Sequence, residues 1–409
     1  MPKAGFYTYF IIIGDNYSGG SMNKLKVLCT AMLILLVALT SACGMGAQND
    51  NGNETGNEDN GGDETPKVEF ASGSGTESDP YVIQEGYQWC NINKYPDAAY
   101  ILGDNINLEG ITSTAVIGTV THPFTGTLDG KGYYVHKGVL QQEGKAGLFG
   151  VISGGTVKNL TFKDSKITLK DSDDNDALGS FVGQLKSGGA IENCHTKNVT
   201  CYYDADNWNS RYIGGFAGIV ASASNMIYCS AQIVIESNTN KTTSYYPNYT
   251  LGGLLGKMEG GTVDACYASG TIDTAKGAGA SGYTSKRIGG IVGNLSGGTV
   301  SNVYSSCTFT ANIKGQTGAL AYYSLSGSYI SFGLSFCEFP TAVTALYCEQ
   351  TVTVSDAVSK YYSPAQIEQS NNLKDNDSNW KNNPYWKKGT IHPELVSYEE
   401  YLELKAEAE

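Results

Sequence analysis

Hydrophobic and polar residues alternate over short stretches from about residue 70 onward, and glycine pairs interrupt this alternation at regular intervals. Stretches of about four to eight residues, rich in Val, Ile, Thr and Tyr and bounded by glycine, are typical of β-strands. A glycine motif recurs, and its last glycines fall 33, 35, 38 and 37 residues apart. The copies are GLFG (Gly147–Gly150), GSFVG (Gly179–Gly183), GGFAG (Gly214–Gly218), GGLLG (Gly252–Gly256) and GGIVG (Gly289–Gly293). The spacing predicts repeats of two or three short strands, with no room for a helix of about ten residues.

A second block follows each glycine motif and holds an apolar residue at a fixed place. These residues are Val157, Ile191, Met226, Val263 and Val300. One repeat cannot bury such a residue alone, whereas stacked repeats form a continuous apolar column. The pattern predicts an all-β chain, a parallel β-solenoid or β-helix with right-handed crossovers. Asn precedes Leu160, Cys194 and Val303, which favours a bend with a partial ladder of stacked amides.

Composition divides the rest of the chain around this repeat. The predicted segments are an upstream mis-start (1–21), a lipoprotein signal peptide (22–42), an acidic Gly/Asn-rich tether (43–66), an N-terminal capping β region with a hairpin (67–140), the solenoid repeats (141–350) and a C-terminal closing segment that caps the stack (351–409). Within the last segment, Tyr398 to Glu409 has the composition of a short acidic helix or a frayed tail.

The start of the chain indicates export and anchoring. Met22 opens a short basic stretch, and an apolar run from Val27 to Leu39 follows, too short for a spanning helix of about 20 residues. The run ends in a sequence that resembles a bacterial lipobox and places Cys43 as the lipidated residue. An ordinary signal peptide with a chance cysteine is the alternative. We expect a lipid-anchored protein on the bacterial cell surface, facing outward, in the outer membrane if the cell is Gram-negative.

The repeats resemble the GLUG motif, a glycine-rich repeat of bacterial surface proteins. The flanking sequences GSGTESDPYVI (Gly73–Ile83) and YILGDNINL (Tyr100–Leu108) are similar to segments of the same family. The run HPFTGTLDGKGYYV (His122–Val135) resembles its hairpin, and WKNNPYWKKGTIHPEL (Trp380–Leu395) resembles its closing segment. The resemblance covers about Val68 to Leu395 and implies a β-solenoid, extracellular placement and an adhesive role. It carries over no catalytic residue.

Charge and motifs narrow the function classes. The net charge is −13, which argues against nucleic acid as a partner. The sequence has no HExxH, GxSxG or GxxxxGK[ST] motif. Cys194 and His195 are adjacent, but neighbouring strand residues point to opposite faces and cannot form a nucleophile pair. Asp264 is predicted to face outward without an acidic partner on the adjacent coils, so a paired-carboxylate glycosidase is disfavoured.

The cysteines and the acidic stretch receive structural interpretations. Cys194, Cys229 and Cys266 occupy one position in successive coils, and the spacing of stacked strands is wider than a relaxed disulfide prefers. We expect buried free thiols there and a second stacked pair at Cys307 and Cys337. The stretch Asp171–Asp176 offers oxygen ligands but lacks the glycine and distal Glu of a calcium loop, so a solvated loop is favoured over a metal site. No cofactor is predicted.

Insertions that lengthen the repeats carry the candidate binding residues. They lie at one corner, before the next glycine motif, and place aromatic rings beside Asn and Ser. The predicted ligand-binding residues are Tyr203, Trp208, Tyr212, Tyr245, Tyr246, Tyr249 and Tyr283. Exposed aromatic rings with polar neighbours suit contacts with sugars or proteins. The leading hypothesis is a non-catalytic, adhesin-like module for a glycan or protein, against a β-helix carbohydrate-active enzyme or a structural spacer whose rings only cover the solenoid flank.

Overall fold

The computed structural model of the chain describes the following residues: 69–111, 115–170, 175–203, 210–237, 248–273, 286–310, 316–318, 320–324, 329–335, 337–339, 347–350, 360–361, 383–387 and 394–408. They belong to one compact unit that runs from Pro66 to Glu409. Among these residues, no helix is both long and apolar enough to cross a membrane.

The described elements are short strands with two helices. In chain order they are β1 (Tyr81–Ile83), α1 (Gly86–Asn91), β2 (Ala99–Leu102), β3 (Ile106–Asn107), β4 (Thr127–Asp129), β5 (Tyr134–His136), β6 (Val139–Glu143), β7 (Lys145–Ala146), β8 (Phe149–Ser153), β9 (Thr156–Lys158), β10 (Thr161–Lys170), β11 (Asp176–Leu178), β12 (Val182–Lys186), β13 (Ala190–Glu192), β14 (His195–Tyr203), β15 (Ser210–Gly214), β16 (Ala217–Val220), β17 (Asn225–Ile227), β18 (Ser230–Ser237), β19 (Asn248–Gly252), β20 (Leu255–Asp264), β21 (Tyr267–Asp273), β22 (Lys286–Gly289), β23 (Val292–Thr310), β24 (Gln316–Gly318), β25 (Ala321–Ser324), β26 (Tyr329–Ser335), β27 (Tyr347–Gln350), β28 (Lys360–Tyr361), β29 (Trp386–Lys387), β30 (Glu394–Leu395) and α2 (Tyr398–Ala408). A 3-10 helix at Ile92–Lys94 follows α1.

The strands stack in parallel register from coil to coil, which confirms the predicted β-solenoid. The strands β7, β11, β15, β19, β22 and β24 form one sheet along a corner of the coils. The larger sheet contains the remaining faces, in which β9, β13 and β17 pair in order and β10 pairs with β14. The only antiparallel pair of named strands in the described part of the chain is β29 with β30. Each coil thus repeats the path of the one before it.

The predicted apolar column lies inside this stack. Val157 pairs in register with Ile191, and the column continues through Met226, Val263 and Val300. All five side chains are fully buried. The column extends at one end to Leu128 and at the other to Ile330, which are also buried. Burial of stacked side chains from successive coils is what makes these short strands stable together.

The N-terminal region differs from the sequence prediction, because the expected hairpin between His122 and Val135 does not form. Strand β4 pairs in parallel with β2 and β9, and β5 pairs in parallel with β3 and β10. The two strands therefore lie on different faces of one coil. The turn between them has Lys131 and Gly132 at positive φ, yet it leads around a corner of the solenoid and does not reverse the chain. This region continues the stack.

The two kinds of glycine position have different physical causes. Gly252 and Gly289, in the recurring motif, do not have positive φ. A Cβ there would overlap the carbonyl oxygens of Leu255 and Val292, so the motif is kept free of side chains to allow close backbone approach. Gly261 and Gly298, in the second block, have φ of 85° and 83° and provide left-handed turns. The motif glycines therefore serve close approach and not turn geometry.

The bend before each buried Leu, Cys or Val position also uses the left-handed region. Asn159, Asn193, Tyr228, Ala265 and Asn302 have φ between 49° and 55°. The amide of Asn193 donates to Asn159 Oδ1 at 2.9 Å, and the amide of Asn159 donates to Asp129 Oδ1 at 3.0 Å. The predicted partial amide ladder is therefore present, and Tyr228 and Ala265 are the positions that interrupt it.

Residues near the C-terminus form a clasp on the outside of the solenoid, which we define as 383–387 and 394–408. Tyr401 of α2 is 1% exposed and packs with Val396 and Ala265. Tyr228, on a solenoid corner, donates its hydroxyl to the carbonyl of Val396. The predicted acidic helix is therefore present, and it lies against the outer side of the coils.

Candidate functional site

The aromatic edge predicted to bind ligand is only partly supported by the described residues. Tyr203 and Tyr249 are 0% and 4% exposed, with ring centroids 5.2 Å apart in an edge-to-face arrangement. Tyr203 pairs in register with the buried Leu169, so strand alternation directs its side chain into the interior beside Leu169. The prediction that these two rings contact ligand is therefore wrong. Tyr212 is half-buried, and Lys257 Nζ lies 4.8 Å from its ring centroid. Trp208, Tyr245, Tyr246 and Tyr283 lie outside the described residues.

The cysteine stack is as predicted. Cys194, Cys229 and Cys266 are free and fully buried, and each thiol donates to backbone carbonyls. Burial raises the pKa of each of these thiols. Cys307 and Cys337 are also fully buried, on adjacent coils. Because thiolates are the reactive form, these residues are structural and not nucleophilic.

His195 belongs to a hydrogen-bond chain on the outer face and points away from the buried Cys194. Its Nδ1 lies 2.8 Å from Ser230 Oγ and its Nε2 lies 3.1 Å from Asn193 Oδ1. This set resembles a serine–histidine–amide triad. Burial, however, lowers the pKa of His195 to about 4, so the ring is a weak base at neutral pH. The arrangement is better suited to holding adjacent coils together than to proton transfer.

Asp264 was predicted to face outward. It is nevertheless buried, because the clasp covers it. The residue is 2% exposed, and Oδ1 accepts hydrogen bonds from Ser301 Oγ and Asn302 Nδ2, both at 2.7 Å. Oδ2 accepts from Tyr401 OH at 2.8 Å and pairs with Lys405 Nζ at 2.8 Å. Burial favours the neutral acid, but the hydrogen bonds from Lys405, Ser301, Asn302 and Tyr401 outweigh it and lower the pKa of Asp264. The carboxylate is a structural anion that fastens the clasp.

A groove of about 320 Å³ opens on the outer face of the first coils. Two columns of stacked residues form its floor. The first column is Ala99, Thr127 and Thr156, and the second is Ile101, Asp129 and Lys158. Its remaining lining residues are Glu77, Pro80, Tyr100, Leu128 and Lys131. Because each column is held by a parallel ladder, the side chains that face the groove have fixed spacing, about 4.8 Å along a column.

The charged groups of the groove form one local network. Lys131 Nζ lies 3.1 Å and Lys158 Nζ 3.9 Å from Asp129 Oδ2. Burial favours the neutral form of Asp129, but hydrogen bonds from the Asn159 amide and from Lys131 outweigh it and lower the pKa. Asp129 is therefore an ionised acceptor at neutral pH. With Glu77 included, the lining holds two acids and two lysines, and its formal charge is balanced.

Both ends of the groove are limited by other parts of the chain. The turn at Thr76–Asp79, in which Asp79 N donates to Thr76 O at 3.2 Å, brings Glu77 and Pro80 to one end. On the other side, the next coil after Lys158 presents Glu192 in register. Tyr398 of the clasp lies against Glu192. Burial, and to a smaller extent the negative charge of Glu192, raises the pKa of Tyr398 to about 12. Tyr398 thus limits the groove along the column that contains Lys158.

No feature of the repeat pattern indicated this groove. Asp129 lies in the run that was assigned to a hairpin, and its side chain was given no role. A stacking register for the first coils could have revealed it, because Thr127 and Thr156 hold equivalent positions one coil apart. Among the described residues, no group of three or more His, Cys, Asp or Glu could hold a metal ion. Asp176 is buried, and residues 171–174 of the acidic stretch lie outside the described part.

Comparisons with known proteins find similarity to proteins described as immunoglobulin A1 proteases. No family model matches the chain. An alignment of 219 positions, which covers 46% of the chain, gives 29% identity to the immunoglobulin A1 protease of Streptococcus sanguinis and covers 11% of that protein. A solved structure from Bacteroides ovatus, provisionally described as an immunoglobulin A1 protease, is similar with a TM-score of 0.53 and 22% identity. That likeness covers 80% of this chain and 95% of the other. The solved structure shows the same fold.

A second solved structure, described as IgA1 protease, gives a TM-score of 0.46 at 19% identity, which is too low to support an argument. The chain spans only about a tenth of the streptococcal relative. An activity of that whole protein therefore does not follow for the shared segment. The likeness to the Bacteroides ovatus structure shows the fold alone.

Proposed function

We propose that this chain is a non-catalytic binding module held at the bacterial surface, and that the groove on its first coils contacts the ligand. The groove is the observation that carries the proposal. It combines a carboxylate, two ammonium groups and two threonine hydroxyls on a rigid sheet face. Fixed polar groups in a concave site are the usual means of orienting a ligand. The predicted lipid on Cys43 and the acidic tether would hold this face away from the membrane.

The protein partner we propose is immunoglobulin A1, through its polypeptide or its glycans. The support is the name of the streptococcal relative, which refers to that immunoglobulin as its substrate. Because the shared segment is a small part of the relative, a role in holding the immunoglobulin is a better assignment for it than the cleavage itself.

The ionisation of the candidate groups favours binding over catalysis. A general acid needs a raised pKa and a general base needs one near neutral pH. Asp129 and Asp264 instead have lowered pKa values because of their hydrogen bonds, despite burial. Burial lowers the pKa of His195 to about 4. These groups are suited to accepting hydrogen bonds in a fixed charge state.

Binding and cleavage of human immunoglobulin A1 by the full chain test this proposal. Surface plasmon resonance should show saturable binding, and gel electrophoresis after prolonged incubation should show an intact immunoglobulin. Lys158→Glu, which places a second carboxylate beside Asp129, should weaken binding at least about tenfold. Lys166→Glu is the matched control, because Lys166 is exposed on β10 away from the groove. Cleavage of the immunoglobulin, or equal binding by both variants, would overturn the assignment.

A further inference from the structure

We propose that the groove binds the end of a neutral saccharide, about one or two sugar residues long. This inference rests on the proposed binding function and names the chemistry of its ligand. Three features of the groove support it: the charge of its lining, the kind of polar groups it offers and its limited extent.

Charge balance argues against an ionic ligand. Lys131 and Lys158 both lie against Asp129, and Glu77 in the lining brings the formal charge of the groove to zero. The carboxylate of Asp129 is likewise shared among Lys131, Lys158 and the Asn159 amide. A charged ligand would have to disrupt this network. An uncharged polar ligand can add hydrogen bonds to it.

The polar groups favour hydroxyls over a peptide backbone. The groove lies on a sheet face, where the backbone N–H and C=O groups are paired with the adjacent coils. A peptide could not add a strand there, since strand addition needs a free sheet edge. Thr127, Thr156, Asp129 and the lysines together offer donors and acceptors, and a sugar hydroxyl can act as both. Ile101 and Pro80 provide a small apolar surface for the non-polar side of a sugar ring.

The size and limits of the groove set the length of the ligand. Its volume of about 320 Å³ is at the lower end of the range for small-molecule sites, about 300–1,000 Å³. Pro80 and Glu77 limit one end, and the clasp meets the next coil at Glu192. Along the column of Asp129 and Lys158, a long polysaccharide would meet Tyr398 at the next coil. The site therefore fits a terminal saccharide and not an internal segment of a polymer.

Titration of the full chain with methyl glycosides of neutral hexoses and N-acetylhexosamines, followed by NMR, tests this inference. We expect at least one glycoside to bind saturably, and its affinity to stop rising beyond the disaccharide. Asp129→Asn and Thr156→Val should each weaken binding at least about fivefold. Thr271→Val, a similar change on β21 outside the groove, should leave it unchanged. Thr156→Val keeps the shape of its side chain, so it reports on the groove even if Asp129→Asn fails to fold.

Several results would overturn the inference. They are the absence of binding by every neutral glycoside, stronger binding by a charged saccharide or a peptide, and affinity that continues to rise at the tetrasaccharide. If immunoglobulin A1 still binds in any of these cases, the binding module stands and only the saccharide assignment fails. If neither the glycosides nor the immunoglobulin binds, the proposed function fails as well.

Discussion

Replacement of Asp264 by Asn should release the C-terminal clasp while the solenoid remains folded. The carboxylate accepts from four donors at 2.7–2.8 Å, two on the solenoid and two on α2. An asparagine amide has nearly the same shape but only one acceptor oxygen. If its nitrogen takes the place of Oδ2, it faces the Lys405 ammonium. If it takes the place of Oδ1, it faces the Asn302 amide. Either orientation brings two donors together.

The expected cost follows from the number and the environment of the lost bonds. A hydrogen bond to a charged group contributes about 1.5–3 kcal/mol, and a buried donor left unpaired costs a similar amount. The Lys405 side chain is 39% exposed, so water screens its share of the interaction. We therefore estimate about 2–3 kcal/mol for attachment of the clasp. At 1.4 kcal/mol per factor of ten, this is roughly a 30- to 150-fold rise in its opening constant.

Hydrogen exchange measured by mass spectrometry can separate clasp opening from global unfolding. Amides of α2 should exchange roughly 30- to 150-fold faster in Asp264→Asn, whereas amides of β13 and β14 should keep their protection. Glu403→Gln, an exposed change on α2, is the control and should have no such effect. A less than threefold effect on α2, or equal loss of protection in β13, would refute the reasoning. Tyr401→Phe should give a smaller effect that does not add fully to that of Asp264→Asn, because the two side chains share one bond.

Three further outcomes follow from the structure. The pKa of Asp264 is lowered in the folded chain. The stabilisation that its carboxylate gives the clasp is therefore complete above the ordinary pKa of about 3.9 and is lost as the pH falls through the pKa of the folded state. Hydrogen exchange of α2 amides, corrected for the intrinsic rate, should rise below about pH 4. Gly252→Ala should reduce the yield of folded protein and lower the melting temperature, because the added Cβ overlaps the Leu255 carbonyl; a normal melting curve would contradict this. Burial raises the pKa of Cys266, so iodoacetamide should label this residue at least about 100-fold more slowly than the half-buried Cys90 in peptide-mapped mass spectra; equal rates would show that the coils open readily.

Much of the fold could be predicted from the repeat alone. Val157, Ile191 and the later members of the column recur at one place in each repeat, and residues that recur in register must stack if the repeats do. The same argument predicted the buried thiols of Cys194 and its equivalents. It also predicted the interrupted amide ladder, because a side chain that bonds its own copy requires only that copies lie one coil apart.

The candidate site was harder to predict from the sequence, because the direction of a side chain depends on the corner from which its strand is counted. Tyr203 and Tyr249 were assigned to exposed insertions. They lie instead at the end of β14 and near the start of β19, where strand alternation places their side chains inside. Counting from Leu169 instead of from the insertion would have placed Tyr203 correctly.

The sequence by itself determined the stacking of this protein, because its period specifies which residues repeat and therefore which become neighbours on successive coils. Only the tertiary structure decided what covers the outside of the stack. Asp264 points outward in the repeat, as its position predicts. Tyr401 and Lys405 nevertheless bury it, and Tyr401 lies 137 residues away in the sequence. The groove beside Asp129 depends on the same kind of contact, since Tyr398 lies against Glu192 on the next coil. Contacts between segments so distant in the chain leave no periodic signal, so the outer face could not be predicted from the repeat.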